Sequence, residues 1–479
     1  MEIAAIYDRL ILWDPITNEY APRLAESWTN NPDFTEWTIK IRAGVKFGDG
    51  NPYDADAVKF NLDRQVSSST ILRGPLSNIK LVTVADALTV KITLVDSWPG
   101  FISLLSAAPG MIASPAVIKA QGTNFALNPA GAGAGPFQFD SLRPKEALTL
   151  KRNPTYWGGP VYLDSIKFVF LGGAQATLDA LKTGTLDVGF LREASVIDDA
   201  KKAGLRGLSN VQNIGEMILV NAGVEITCAG GKPEPTCTAK PDGKIATKSP
   251  GTDIKVRQAI QAAVDVNVLD QRANNGKGLP SSFVLDKSFP WDPKVASPKP
   301  DIAKAKQLVQ EAKAAGWDGK IRLSCTNTPQ RQATAITIQT QLTAVGFDVD
   351  MTRSNIDVVQ LIADVITNKN YDLACWGASA TPDDYAYVQF DSLLRGASAS
   401  NRTGYKSAAM DTALAETKKA ATAAAKTAGY KKIAELIVQD VPFVPIASAE
   451  EYVAYSSKVQ GARATAAGTL DFSKAFKTS

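Results

Sequence analysis

Residues 34–64 read FTEWTIKIRAGVKFGDGNPYDADAVKFNLDR, and this stretch joins a strand to a helix through a glycine-rich turn. Trp37, Ile39 and Ile41 alternate with polar residues, which is the period of a strand with one buried face. Asp54 stands where an N-cap residue precedes a helical pattern. The stretch therefore predicts a strand, a sharp turn and a helix in the first third of the chain.

The rest of the first third also favours strands, whereas later parts alternate strands with helices. A glycine-rich turn at 128–135 leads into a predicted hairpin that ends at Trp157. Residues 163–191 predict a strand, a helix and a strand, and residues 321–353 repeat that order. Such units are typical of parallel sheets. The pattern predicts two α/β lobes, with an extra domain inserted in the first lobe and a ligand-binding cleft between them.

The composition excludes several classes of protein. The 479 residues include 52 lysines and arginines against 48 acids, and this near balance excludes a dominant nucleic-acid footprint. There is no histidine, which excludes Ser-His-Asp and Cys-His nucleophiles and HExxH zinc sites. Because histidine is also the commonest general base near neutral pH, an enzyme becomes less favoured.

Four cysteines allow three pairings. Cys228 and Cys237 flank a segment rich in glycine and proline, and we expect them to form a disulfide that closes the exposed loop of 222–252. Cys325 and Cys375 each end a predicted strand, and the residues leave open whether they are bonded or free. Two bridges would indicate an oxidising compartment. Residues 254–274 predict one continuous helix.

Eight blocks of sequence together resemble the family 5 extracellular solute-binding proteins, the peptide-, dipeptide- and nickel-binding receptors of ABC importers. They occur in the family's order and cover nearly the whole chain. The blocks are PRLAESW (22–28), residues 38–64, GAGPFQF (133–139), LKRNPTYWGGPVYLDSIKF (150–168), ALKTGTLDVG (180–189), VRQAIQAAVD (256–265), YDLACWG (371–377) and GYKSAAMDTALAE (404–416).

The resemblance implies a two-lobed α/β fold of the periplasmic-binding-protein, or Venus flytrap, type. Residues 1–10, 150–214 and 449–479 would form the core domain of lobe I, residues 11–149 its inserted domain, and residues 215–448 lobe II. Chain crossovers near 214–217 and 446–450 would form the hinge.

The implied function is that of an extracytoplasmic receptor, in the periplasm or as a cell-surface lipoprotein. It would capture a peptide or similar solute between hinged lobes and deliver it to a membrane permease. We expect a monomer with no catalysis, no cofactor, no metal and no nucleic-acid partner.

Two departures from the family pattern stand out. The family's first strand and loop, which precede the block matched by residues 3–14, are absent, so we expect a chain that lacks its N-terminal segment and signal. Peptide-binding members also carry an aspartate after the strand that matches YDLACWG, and it pairs with the peptide's amino group. Ser379 or Thr381 occupies that position here, and Asp383 or Asp384 is a possible substitute.

Further candidate ligand contacts lie on the implied cleft. Trp376 ends a strand and can stack on a ligand or pack in the core. Arg402 can hold a ligand carboxylate or stand in solvent. The remaining candidates on the same implied cleft are Asn401, Tyr405, Glu216 and Met217, of which Met217 is equally suited to the core.

Three alternatives remain open at this point. The same receptor fold can bind an oligosaccharide or another uncharged solute, which Ser379, Thr381 and Asn401 would suit. A hydrolase that uses Asp383 and Asp384 as a carboxylate pair is more remote, because adjacent residues usually point apart. A metal-chelate receptor is also less favoured, since no histidine can complete the coordination shell.

Overall fold

The computed structural model describes residues 2–67, 76–233, 237–238, 240, 242–283, 285, 289–378, 383–398, 400–465 and 469–478. Within these ranges, no helix is both long and apolar enough to cross a membrane.

The first third forms a four-stranded antiparallel sheet with helices packed on it. Trp37, Ile39 and Ile41 are buried, which confirms the predicted alternation, and Asp54 accepts a hydrogen bond from the Ala57 amide at the start of the predicted helix. Its elements are α1 (Glu2–Tyr7), β1 (Ile11–Asp14), β2 (Glu19–Pro22), β3 (Ala25–Asn30), β4 (Glu36–Ile41), α2 (Ala55–Ser67), β5 (Ile79–Asp86), β6 (Thr89–Leu94), α3 (Ile102–Ser106) and α4 (Pro115–Gln121).

A three-stranded antiparallel sheet follows and corrects one prediction. The strand and helix of 163–182 were expected to begin a parallel unit, but the strand pairs antiparallel with its predecessor in the chain. Its residues alternate between exposed and half-buried, as in an antiparallel sheet with one face in water, whereas parallel strands are buried on both faces. The elements in this part of the chain are β7 (Phe137–Arg143), β8 (Ala147–Arg152), β9 (Ser165–Val169), α5 (Ala174–Lys182), β10 (Val188–Leu191) and α6 (Ala194–Lys202). Of these, β10 pairs with a later strand and is not part of the three-stranded sheet.

A seven-stranded sheet, the large sheet, organises the rest of the chain. Its two longest strands lie side by side, and the predicted parallel unit of 321–353 is confirmed within it. The elements are β11 (Arg206–Val220), β12 (Glu225–Cys228), β13 (Gly243–Ala246), α7 (Ile254–Ala263), α8 (Val266–Asn274), β14 (Leu279–Pro280), α9 (Ile302–Ala314), β15 (Lys320–Ser324), α10 (Pro329–Thr343), β16 (Asp348–Asp350), α11 (Val358–Ile362), β17 (Leu373–Gly377), α12 (Tyr385–Leu394), α13 (Ala408–Lys419), α14 (Ala423–Asp440), β18 (Phe443–Tyr455), β19 (Val459–Gln460), β20 (Arg463–Thr465), β21 (Thr469–Asp471) and β22 (Phe476–Lys477).

Two local predictions differ from the structure. The expected helix over 254–274 is two helices, because Asp265 caps α8 by accepting hydrogen bonds from the Asn267 and Val268 amides. The segment 222–252 contains the hairpin of β12 and β13, since the alternating residues of Glu225–Cys228 have a partner strand within the segment.

Both cysteine pairs are bonded. The predicted Cys228–Cys237 bridge is present, with Cα atoms 5.5 Å apart. Cys325 and Cys375 form the second bridge, with Cα atoms 4.9 Å apart. Cys325 and Cys375 follow directly after the paired residues Leu323–Leu373 and Ser324–Ala374 of the parallel ladder. The second bridge therefore joins the next two residues in register.

The largest hydrophobic core joins parts of the chain that are far apart in sequence. It holds the inner face of the first sheet together with residues of α12, α13 and α14. Separate cores lie under the opposite face of the large sheet and beside β8. The first third is therefore packed against the helices of the last third.

Candidate ligand-binding site

The two long strands β11 and β18 share one irregularity. Arg206–Gln212 pairs with Ala449–Tyr455, and Glu216–Leu219 pairs with Phe443–Ala447, with register shifts between these two ladders. Gly215 lies in the gap, where an added Cβ would come 2.2 Å from the Ala449 amide nitrogen. No side chain larger than hydrogen fits that approach. The irregularity falls at the predicted crossovers.

Three of the predicted contact residues meet next to this irregularity. Met217 lies opposite Trp376, and Glu216 lies opposite Gly377, in the antiparallel pairing of β11 with β17. Met217 is fully buried in the largest core, while Trp376 is half-buried and packs against that core. The structure thus places Met217 in the core and leaves part of the Trp376 ring accessible.

Two arginines that the sequence analysis missed surround the Glu216 carboxylate. Arg192 follows β10 and lies 3.8 Å from Glu216 Oε1, and Arg331 in the first turn of α10 forms an ion pair with Oε2. Neither arginine belongs to a motif, so no signal in the sequence marked them. The Glu216 carboxylate is thus shared between two guanidinium groups.

Arg402 lies over the ring of Trp376. Its Cζ atom is 5.5 Å from the ring centroid, within the range of a cation–π contact. Tyr371 holds the backbone beneath it by donating a 2.6 Å hydrogen bond to the Arg402 carbonyl. Burial lowers the pKa of the Arg402 guanidinium. The structure therefore brings Arg402 to Trp376.

The side chains of Asn401 and Tyr405 both make hydrogen bonds to other residues of the protein. The Asn401 amide donates to the Arg395 and Tyr405 carbonyls, and its Oδ1 accepts from Thr403 and Gly404. The Tyr405 hydroxyl donates a 2.5 Å hydrogen bond to Asp440 at the end of α14. Both side chains shape the loop that carries Arg402, and their contact with ligand stays a prediction.

Asp383 and Asp384 both contact the first third of the chain. The Tyr20 hydroxyl donates a 2.8 Å hydrogen bond to Asp383, and Asp384 forms an ion pair with Lys426. An added Cβ at Gly100 would come 2.8 Å from the Asp384 Cβ. Burial, followed by the Asp383 charge, raises the pKa of Tyr20 well above its ordinary value. Ser379 and Thr381 lie outside the described residues.

A second group of side chains extends this contact between the first third and the last third. The rings of Trp98 and Tyr387 meet edge-to-face, with centroids 5.8 Å apart. The buried Lys418 ammonium donates to Asp96 at 2.8 Å and to Asn78 at 3.2 Å. A cavity of about 150 Å³ lies beside them, smaller than the roughly 300 Å³ at which typical ligand pockets begin. We refer to Tyr20, Asp96, Trp98, Asp383, Tyr387 and Lys418 as the long-range contact.

The chain is similar to known proteins over most of its length. Residues 19–401 match the model for bacterial extracellular solute-binding proteins, family 5 Middle. The glutathione-binding protein GsiB of Shigella dysenteriae serotype 1 (strain Sd197) is 27% identical over 454 residues, covering 91% of this chain and 82% of that protein.

Solved structures show the same fold. The dipeptide-binding protein of Pseudoalteromonas sp. SM9913 in complex with Met-Leu superimposes with a TM-score of 0.80 at 20% identity, covering 99% of this chain and 93% of that one. AgaA of A. tumefaciens R10 in complex with agropinic acid gives a TM-score of 0.78 at 24% identity, covering 96% and 89%. The chain therefore has the two-lobed α/β fold of periplasmic binding proteins.

Proposed function

The chain belongs to family 5 of the bacterial extracellular solute-binding proteins, and from this membership we propose that its solute binds where β11 and β17 meet, against Trp376 and Arg402. The protein is a binding protein of an ABC importer and not an enzyme. It works outside the cytoplasm, together with a membrane permease. We propose that it does so as a monomer, in the periplasm or on the cell surface.

The proposed lobes follow the division that the family resemblance implies. Residues 1–10, 150–214 and 449–479 form the core of lobe I, residues 11–149 its inserted domain, and residues 215–448 lobe II. The observation that carries the proposal is the shared irregularity of β11 and β18, since two strands that change register at one place provide a hinge. The long-range contact supports a closed form, because it joins the inserted domain to lobe II.

The ligand we propose is a peptide-like solute that is not anchored by an amine at the Asp383–Asp384 loop. Tyr20 already donates a hydrogen bond to Asp383, and Lys426 already forms an ion pair with Asp384. An ammonium brought there would have to displace these partners and lose its own hydration. The relatives named above bind glutathione, a dipeptide and agropinic acid, so short peptides and acidic amino-acid derivatives are the first compounds to test.

The decisive experiment identifies the solute directly. Mass spectrometry of the denatured, freshly purified protein would reveal what co-purifies, and calorimetry would measure binding of glutathione and Met-Leu. Trp376→Ala should weaken binding of the identified solute by about tenfold or more, because the ring forms one wall of the site. Trp28→Ala, which removes a half-buried tryptophan in β3, is the matched control.

Two outcomes would count against the proposal. Equal affinity of the Trp376→Ala and Trp28→Ala variants would place the ligand elsewhere. Co-purification of a neutral oligosaccharide would favour the uncharged-ligand receptor instead.

A further inference from the structure

Arg9 lies just after α1 and carries a buried guanidinium group, with only 7% of the residue exposed. Its Nε and Nη1 atoms are buried and have no hydrogen-bond partner among the residues that the structure describes. Burial lowers the pKa of the Arg9 guanidinium, but an arginine side chain stays charged in proteins. Folded proteins contain few buried charges without hydrogen bonds, because such groups lose hydration and gain nothing in return.

The two carboxylates nearest to Arg9 are engaged by other donors. Asp8 accepts hydrogen bonds from Arg23 Nε at 2.9 Å and from the Tyr156 hydroxyl at 2.8 Å, one at each oxygen. Asp471 pairs with Arg23 Nη2 at 3.0 Å through one oxygen, and its other oxygen accepts from a backbone amide at 2.8 Å. The charges of both acids act on Arg9, but neither carboxylate accepts a hydrogen bond from its guanidinium group.

A small cavity of about 20 Å³ lies against this side chain, and its lining includes Asp8, Arg9, Arg23, Thr465, Asp471 and Phe472. About 10–15 Å³ is enough for one water molecule, so the cavity can hold one particle of that size or slightly larger. The two guanidinium groups and two carboxylates in its wall cancel in charge. A particle bound there is therefore small, and it carries no more than a single charge.

We propose that this cavity, the Arg9 cavity, binds one monovalent anion of the size of chloride through the guanidinium N–H groups of Arg9. Adjacent N–H groups along one edge of a guanidinium donate together to one anion. A hydrogen bond between charged groups is roughly twice as strong as a neutral one, which favours an anion over a water molecule.

The Arg9 cavity also joins the two domains of the proposed lobe I. Arg9 and Asp471 belong to the proposed core domain, whereas Arg23 belongs to the proposed inserted domain. The bound anion thereby stabilises the contact between these domains. The inference goes beyond the proposed function, because the anion is a structural partner and not the transported solute.

The first test compares sodium chloride with sodium gluconate at equal ionic strength, since gluconate is too large for the cavity. Thermal unfolding is followed for the wild type and for Arg9→Gln. Arg143→Gln is the control, because Arg143 is an exposed arginine at the end of β7 that pairs only at the surface with Glu146.

We expect chloride, but not gluconate, to raise the melting temperature of the wild type and of Arg143→Gln in a saturable manner, because it binds only the folded state. The chloride concentration that gives half of this rise should increase by about tenfold or more in Arg9→Gln, which loses the charged donor. An equal chloride response of all three proteins would overturn the inference. If Arg9 only supports packing, Arg9→Gln will melt lower by the same amount in both salts, and that result would also overturn it.

A second measurement uses the wild type alone, so it stands even if Arg9→Gln does not fold. Crystals of the protein grown with bromide in place of chloride should show an anomalous scattering peak within hydrogen-bond distance of the Arg9 guanidinium. Well-ordered density for Arg9 with no bromide peak beside it would contradict the anion site.

Discussion

The hydroxyl of Tyr20 donates a 2.8 Å hydrogen bond to Asp383, which lies 363 positions later in the chain. Tyr20 belongs to β2 in the proposed inserted domain, and Asp383 precedes α12 in the proposed lobe II. The bond is one of several that tie these regions together, and it engages a carboxylate oxygen for which a ligand amine would have to compete. If the lobes close as proposed, closure and ligand choice are linked at this residue pair.

Replacing Tyr20 with phenylalanine should weaken that link. The buried Asp383 would lose a hydrogen-bond donor, and we expect the free energy of unfolding to fall by about 1–2 kcal/mol. Urea denaturation measures the change, with the exposed Tyr162→Phe as the control. Equal stability of the two variants would show that the bond contributes nothing.

The ion pair between Lys418 and Asp96 should contribute stability that disappears in acid. Lys418 lowers the pKa of Asp96, chiefly through its hydrogen bond. A lowered acid pKa stabilises the fold above the ordinary pKa, and this contribution is lost as pH falls through the folded value. Lys418→Met should cost about 1 kcal/mol at pH 7, after allowance for the solvent exposure of Asp96.

The acid dependence of that substitution provides its check. Urea denaturation at neutral pH and in acid should show the difference between wild type and Lys418→Met shrinking as Asp96 becomes protonated. Lys432→Met, at an exposed position of α14, is the control. If the difference in the free energy of unfolding grew in acid, the ion pair between Lys418 and Asp96 would not be its cause.

Gly215→Ala should disrupt the irregularity shared by β11 and β18. The new methyl group would come 2.2 Å from the Ala449 nitrogen, and overpacking of this kind costs about 1–3 kcal/mol. Gly172→Ala is the control, because nothing lies within 4 Å of its added Cβ. Thermal denaturation should give a lower melting temperature for Gly215→Ala than for Gly172→Ala. Equal melting temperatures would contradict the close approach of Gly215 to Ala449.

The two disulfides should differ in their contribution to stability. Cys325–Cys375 spans 50 residues and Cys228–Cys237 spans 9, and the longer loop loses more entropy when it is closed. The chain-entropy model gives about 4 kcal/mol for the first and about 3 kcal/mol for the second. Urea denaturation of the two double-alanine variants, without reductant, tests this order, and the reverse order would refute it.

The pH dependence of Lys369 can be isolated by comparison with Lys369→Gln. The pKa of Lys369 in the folded protein is lowered to about 8, against an ordinary 10.5, because burial and, after it, the charge of Arg402 disfavour the ammonium. Between these values the unfolded chain holds a proton that the folded protein lacks. Wild-type stability should therefore rise relative to the variant as pH increases through this window.

At pH 7 we expect the Lys369→Gln variant to be more stable by about 1 kcal/mol, a value reduced for partial exposure of the lysine. The advantage should fade towards pH 10.5. Denaturation curves at three pH values are sufficient to check it. A variant less stable than the wild type at pH 7 would contradict the lowered pKa of Lys369.

Much of the fold was predictable because its signals are local. The alternation in β4, the cap at Asp54 and the parallel unit of 321–353 each depend on neighbouring residues. The pairing of β9 was mistaken because a strand–helix–strand order alone does not specify the partner strand. The Cys325–Cys375 bridge required the register of two strands 50 residues apart, which no local pattern contains.

Less of the candidate site than of the fold could be predicted from the sequence. Trp376 and Arg402 were identified from the resemblance, and the structure brings them together. Arg192 and Arg331 were missed, because a charged residue in a loop or a helix start looks like any solvated one until its neighbours are known. Asn401 makes hydrogen bonds within its own loop, and its contact with ligand stays a prediction.

The register shift shared by β11 and β18 also limits the kinds of motion open to the molecule. Sliding or twisting two hydrogen-bonded strands would break ladder pairs on both sides of the shift, while bending at the shift leaves those pairs intact. If the lobes hinge at this shift as proposed, the motion of the receptor is a change in a single interlobe angle. A permease that distinguishes a loaded from an empty receptor needs to sense only that angle, and the chemical identity of the cargo need not be communicated to it.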